Sequence, residues 1–206
     1  MGTVAGIIDI GLGNIDSVRR ALTFMGFANQ LCAKIDDLEN VDRIIFPGVG
    51  NFYKASEVLK ETRFNIAIKE HVLHLNKPIL GICLGMQLLC DRGYEGGEAE
   101  GLKLISGEVV KLEKGNSSER VPHMGWNEVH FKNKSILFKD IPDRMDFYFN
   151  HSYHFSKVEQ NKVVSVTPYA NGFVSTVEDK NVFGVQFHPE KSQELGLQLL
   201  KNFMEL

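Results

Sequence analysis

Two short segments of this 206-residue sequence carry residue types able to do covalent chemistry. The first is Gly81-Ile82-Cys83-Leu84-Gly85, set between the apolar run Pro78–Ile82 and the start of a helical pattern, Met86-Gln87-Leu88-Leu89. A thiol framed by two glycines at a strand-to-helix turn has the pattern of a nucleophile elbow, because glycine lets the backbone pass a turn that strains other residues. A helix opening there offers amide N–H groups and a positive dipole end, which favour thiolate over thiol. The Leu84 amide is then placed to face an oxyanion. A cysteine nucleophile needs a base, and the base needs a group to orient it. Of seven histidines, His188 stands out at the end of an apolar strand, Val185-Gln186-Phe187-His188-Pro189-Glu190. In extended backbone, residues two apart share a face, so Glu190 can reach the His188 ring, and Pro189 stiffens the link. Each segment taken singly also has a plain reading: Cys83 as a small buried hydrophobe, His188 as a surface histidine beside a solvated glutamate. His71 and His74 read as surface positions on a helix.

These residues need a frame. Val4–Ile10, Phe27–Cys32, Asp42–Phe46 and Pro78–Ile82 read as strands, and helical spacing predicts helices over about 18–25, 51–61 and 63–75 between them. Strands alternating with helices argue for a parallel sheet with right-handed crossovers. After about Glu100 short β-like runs replace that rhythm: Glu108–Leu112, Asn127–Phe131, Phe147–Phe149, Lys162–Val166, Phe173–Val177 and Val182–Gln186. An amphipathic helix over Gln193–Phe203 follows, with Leu195, Leu199 and Leu200 inward. Gly115–Glu119 is the best candidate for a mobile loop. Val121–Asn127, with the only tryptophan, reads as a Gly/Pro-framed loop whose Trp126 and Met124 suit a docking anchor. Cys90 reads as a core residue.

Composition excludes several functions. With 43% hydrophobic and 24% charged residues the chain is of ordinary globular character, and its length favours one domain over residues 1–206. A net charge of −3 gives no reason to expect nucleic acid as a partner. No apolar run is long enough to span a bilayer, and Met1–Ile10 lacks a secretory pattern, so no membrane partner and a cytoplasmic location are expected. Cys32, Cys83 and Cys90 lack metal-ligand spacing, so no metal is expected.

Taken together, PGVGNF, GICLGMQLL and VFGVQFHPEKS resemble the class I (triad) glutamine amidotransferases in order and spacing. IIDIGLGNIDSV, VPHMGWNEV, FYFNHSYHF and EKSQELGLQLLKNF extend the likeness over nearly the whole chain, toward members that feed ammonia to a cyclase subunit. The resemblance implies a flavodoxin-like α/β fold, with a mostly parallel sheet flanked by helices and an additional antiparallel, strand-rich portion. It implies a triad of Cys83, His188 and Glu190, and an oxyanion hole from the Leu84 amide and one of Val49 or Gly50. Gln87 would hold glutamine, and the backbone of His151, Ser152 and Tyr153 would recognise its α-groups. No cofactor is implied. The partner would be a (β/α)-barrel cyclase in a heterodimer, docked near Asn14, Pro122, Met124 and Trp126, and the ammonia would serve imidazole ring formation. A paralogous pair that amidates sugars for surface glycans shares these motifs, and the sequence leaves both open. Two positions depart from the usual pattern: Ile10, where tyrosine is common, and Asn150, where an apolar residue usually precedes the His-Ser-Tyr.

Overall fold

A computed structural model describes residues 2–115 and 119–206. The expected loop at 115–119 therefore falls largely on residues outside the described ones.

The first half builds a parallel sheet. Its strands are β1 (Val4–Ile8), β2 (Ala28–Cys32), β3 (Arg43–Gly48) and β4 (Ile79–Cys83), separated by α1 (Ile15–Phe24), α2 (Phe52–Glu61) and α3 (Phe64–Lys69). Both β3 and β4 are buried along their whole length. That is the signature of central parallel strands covered on both faces, and it explains their apolar runs over 44–47 and 79–83. Asn51 caps α2 by accepting the Lys54 N–H at 3.0 Å.

Two expectations change in this half. The helix expected over 63–75 ends at Lys69 and continues as a wider π turn over Glu70–His74. That turn rotates His71 inward, so it is buried and not a surface residue. The helix after the elbow, α4, spans only Leu84–Gln87. A single turn does not sum its peptide dipoles, so the expected macrodipole at Cys83 reduces to local amides.

Beyond α4 come the short strands β5 (Arg92–Gly93) and β6 (Ala99–Glu100), then β7 (Glu108–Lys111), β8 (His123–Phe131), β9 (Met145–His151), β10 (Tyr153–Ser156), β11 (Val163–Thr167), β12 (Phe173–Asp179) and β13 (Val182–Val185). Helix α5 (Gln193–Met204) follows. The large sheet has the order β2-β1-β3-β4-β13-β12-β11-β8-β9. It is parallel from β2 to β13 and antiparallel from β13 to β9, so the additional portion is continuous with the parallel part. A second sheet, β10-β7-β5-β6, packs alongside. The chain changes sheets at Ser152, between β9 and β10, and this corner faces the end of β4.

Strand β8 corrects a further expectation. Val121–Asn127 is not a loop throughout, since from His123 onward it pairs with β9, His123 opposite His151 and Trp126 opposite Tyr148. Strand alternation then turns His123 inward and leaves Met124 and Trp126 exposed on one face. Apolar cores cover both faces of the sheet, one around Phe46, Phe52, Phe64 and Ile68, the other around Val18, Leu22, Leu199 and Phe203.

Candidate active site

The elbow is built by steric exclusion. A Cβ on Gly85 would run into the Phe46 carbonyl of β3, and one on Gly81 would lie 2.6 Å from the Gly85 oxygen. Only glycine at both positions lets α4 fold back over the strand ends. Cys83 pays for this with φ 54° and ψ −109°, a conformation that side-chain-bearing residues rarely adopt and that is held by the surrounding packing. The turn puts Sγ at the carboxyl end of β4, the usual place for sites in open α/β sheets.

His188 and Glu190 arrive from the end of β13. The His188 N–H donates to the Tyr148 carbonyl at 2.8 Å, and the Ser192 hydroxyl donates to the His188 carbonyl at 2.7 Å while accepting the Tyr148 N–H at 3.0 Å. This lattice fixes the turn over Pro189–Lys191 and aims Glu190 back at the ring: Nδ1 lies 2.8 Å from Glu190 Oε1, with both side chains buried. An ionised carboxylate only accepts, so Nδ1 carries the proton and Nε2 faces Cys83. Burial alone would lower the His188 pKa, but the Cys83 sulfur and the Glu190 carboxylate override it and raise it well above the usual histidine value. Both neighbours favour the protonated form of the ring.

Cys83 opens on a cleft of about 250 Å³ lined by Val49, Gly50, Leu84, Gln87 and the 150–153 corner. Sequence reasoning assembled most of this lining. It missed Glu95, which lies across the cleft, accepts the Phe52 N–H at 3.1 Å and has its pKa raised by burial. The glycine-rich surroundings of Glu95 carried no motif to mark it. The Cys83 thiol also faces the Asn150 carbonyl at 3.8 Å. Two expected roles are narrowed by occupied groups. The Tyr153 carbonyl already accepts Gln87 Nε2 at 2.8 Å and His151 Nδ1 at 2.9 Å, and the Ser152 carbonyl accepts the Leu112 N–H at 2.8 Å. The Val49 N–H donates to the Leu12 carbonyl at 3.4 Å, so in this state it is directed to that turn.

The residues expected at an interface divide. Met124 and Trp126 are exposed, with Trp126 edge-on to Tyr148 at 6.1 Å between ring centres. Pro122 is exposed as well and also lines the cleft. Asn14 stands behind the His188–Glu190 pair, its amide 3.5 Å from Glu190 Oε1.

The chain as a whole is similar to known proteins. The family model described as "Glutamine amidotransferase class-I" matches residues 7–206. A curated relative named "Imidazole glycerol phosphate synthase subunit HisH 1", from Campylobacter jejuni (strain RM1221), is 46% identical over 200 residues, covering 97% of this chain and 98% of that protein. "Imidazole glycerol phosphate synthase subunit HisH" from Caldanaerobacter subterraneus subsp. tengcongensis is 43% identical, covering 98% of this chain and 97% of its own. Among solved structures, PurLQS from Thermotoga maritima superposes with a TM-score of 0.78 at 19% identity, covering 100% of this chain and 99% of that one. A glutamine amidotransferase crystal structure gives 0.75 at 17% identity, with 98% and 97% covered.

Proposed function

Since the chain belongs to the class-I glutamine amidotransferase family, we propose that it is the glutaminase subunit of an imidazole glycerol phosphate synthase, which makes ammonia from glutamine for a cyclase partner. The observation that carries this is the strained Cys83 facing a buried, 2.8 Å His188–Glu190 pair.

The chemistry follows from those positions. His188 Nε2 takes the Cys83 proton, and the sulfur attacks the carboxamide carbon of glutamine. The carbonyl oxygen becomes an oxyanion beside the Leu84 amide. The imidazolium then returns the proton to the departing nitrogen, leaving a γ-glutamyl thioester and ammonia. Water, deprotonated by the same His188, opens the thioester through a second oxyanion, and Glu190 steadies each imidazolium. Glu95 suits the α-ammonium of glutamine, being a carboxylate across a small cleft from the reacting sulfur. The second oxyanion donor comes from the loop over Val49 and Gly50. Its Val49 amide now serves Leu12, and Gly50, at φ 108°, lets a neighbouring peptide turn at little cost. Docking of the partner completes the hole by turning that loop.

Ammonia once protonated is no nucleophile, so it must pass directly to its acceptor. The partner is a cyclase of (β/α)-barrel form, bound as a heterodimer over the face that carries Met124 and Trp126, with Asn14 near its rim. Glutamate release from glutamine, measured alone and with that cyclase and its ribonucleotide ligand, tests this. Strong stimulation is expected. Cys83-dependent release that this cyclase leaves unchanged would move the protein to a different synthase.

A further inference from the structure

A line of buried polar groups runs behind Cys83, and its hydrogen-bond directions are forced. A backbone carbonyl can only accept, so the Gln87 atom 2.8 Å from the Tyr153 oxygen is the amide nitrogen. That nitrogen stands 3.1 Å from one end of the Gln186 amide, which must then be oxygen. The other end of Gln186 is therefore its NH2 group, and it points at Cys83 Sγ from 3.6 Å. Turning Gln186 over would set two NH2 groups against each other, and its side chain has no water to turn to, being fully buried.

The same polarity emerges from the opposite end of the line. Asn127 Oδ1 accepts the Glu128 N–H at 3.0 Å, which makes its other end the donor, 3.4 Å from His123 Nε2. His123 Nδ1 then carries the proton and donates to His151 Nε2 at 3.1 Å. His151 Nδ1 in turn donates to the Tyr153 carbonyl at 2.9 Å. Both arms meet at that carbonyl as donors, with no conflict between them.

We propose that Gln186 is a further catalytic residue: its side-chain N–H donates to the Cys83 sulfur and stabilises the thiolate, while its oxygen fixes the amide nitrogen of Gln87, a residue that lines the cleft. The role rests on the glutaminase reading for the step it serves. In that step the thiol proton goes to His188, the sulfur keeps the electron pair, and Gln186 retains both of its protons. The one-turn α4 leaves a need for such a donor, since no helix dipole of any size is aimed at the sulfur. The titratable groups around Sγ are His188 with Glu190 behind it, His151 at the β9–β10 corner, and Glu95 across the cleft; all remain in place when Gln186 is changed.

The test is the rate at which iodoacetamide alkylates Cys83 across pH in the whole chain, read by mass on the Cys83 peptide. Cys32 and Cys90 do not interfere, because burial holds both thiols well above their ordinary pKa. Gln186→Met keeps the length and removes the donor. Loss of a hydrogen bond to the charged form raises a thiol pKa. The inflection is expected to rise by about one pH unit, with about a tenfold slower reaction below it. A uniformly slower profile with an unmoved inflection would overturn the proposal and leave Gln186 a packing residue. If Gln186→Met does not fold, Gln186→Asn, one methylene short of the sulfur, carries the same expectation and the same refutation. Alkylation needs no glutamine, so the two readings fail separately. A shifted inflection without glutamate release in the native chain breaks the glutaminase reading alone. An unmoved one with normal release breaks this proposal alone.

Discussion

The two halves of the large sheet contribute to the site in different ways. The parallel half supplies the proposed nucleophile by shape: Cys83 sits where it does because Gly81 and Gly85 let α4 pack against β3 and β4 without collision. The strands after β4 supply the polar groups by register: Gln186 and His188 follow β13, which pairs with β4 from about a hundred residues away, while His123 and the 150–153 corner come from the antiparallel pair β8 and β9. The first is a local constraint written into five residues. The second is a long-range one, spread over the chain from 123 to 190. Substitutions in the two halves should therefore fail differently, through the backbone in one and through hydrogen bonds or contacts in the other.

The largest effect belongs to the shape-determined half. Gly85→Ala places a methyl group against the Phe46 carbonyl, with the backbone of both elements fixed by packing. It is expected to cost about 4 kcal/mol or more, or to prevent folding, as read by urea denaturation. A stability within about 0.5 kcal/mol of the native chain would remove the steric account of the elbow.

Next comes the base. His188→Gln should retain the fold and lower kcat/KM for glutamine by about 10²–10⁴-fold. Glu190→Gln should be milder and should shift the pH–rate profile, because the ring loses the carboxylate that fixes its tautomer and supports its charge. Equal stability with undiminished turnover in His188→Gln would exclude it as the base.

This contrast also explains what was legible from the residues alone. The elbow, the strand–helix alternation and the His188–Glu190 pair depend on neighbours within a few positions, and each was visible. The length of α4 was not, because Leu88 and Leu89 keep a helical look while the chain turns away after Gln87. Gln186 carries no chemical label and matters only because β13 lies beside β4. His123 looked like part of a loop until its pairing with His151 across β8 and β9 gave it a partner. Glu95, with only glycines and an exposed tyrosine around it, gains meaning only from the cleft it closes.

At the proposed docking face, a smaller effect is expected. Trp126→Ala should weaken binding of the cyclase by about 2 kcal/mol or more, measured as a dissociation constant, with thermal stability nearly unchanged. An unaltered constant would take Trp126 out of the interface.

The remaining effect is on pH. Burial lowers the pKa of His71 and His123 to about 4 and of His151 to about 3. Unfolded histidines titrate near 6.5, so between these values the unfolded chain binds more protons than the folded one. The stability contributed is complete above the unfolded value and is lost as pH falls from about 6.5 toward the folded values. Denaturant titrations should show a loss of about 2 kcal/mol per histidine by pH 5, and His71→Leu should remove one such share. His188 has the opposite sign: its raised pKa gives stability that is present at low pH and is lost as pH rises through the folded value.

The central claim is that Cys83 forms the covalent bond to glutamine. A glutamine analogue bearing a diazoketone in place of the carboxamide, incubated with the native chain and located by peptide mass, tests it directly. A single adduct on Cys83, absent when His188 is replaced by Gln, is the expected result. An adduct on Cys32 or Cys90, or equal labelling in the absence of His188, would contradict the triad and the activity built on it.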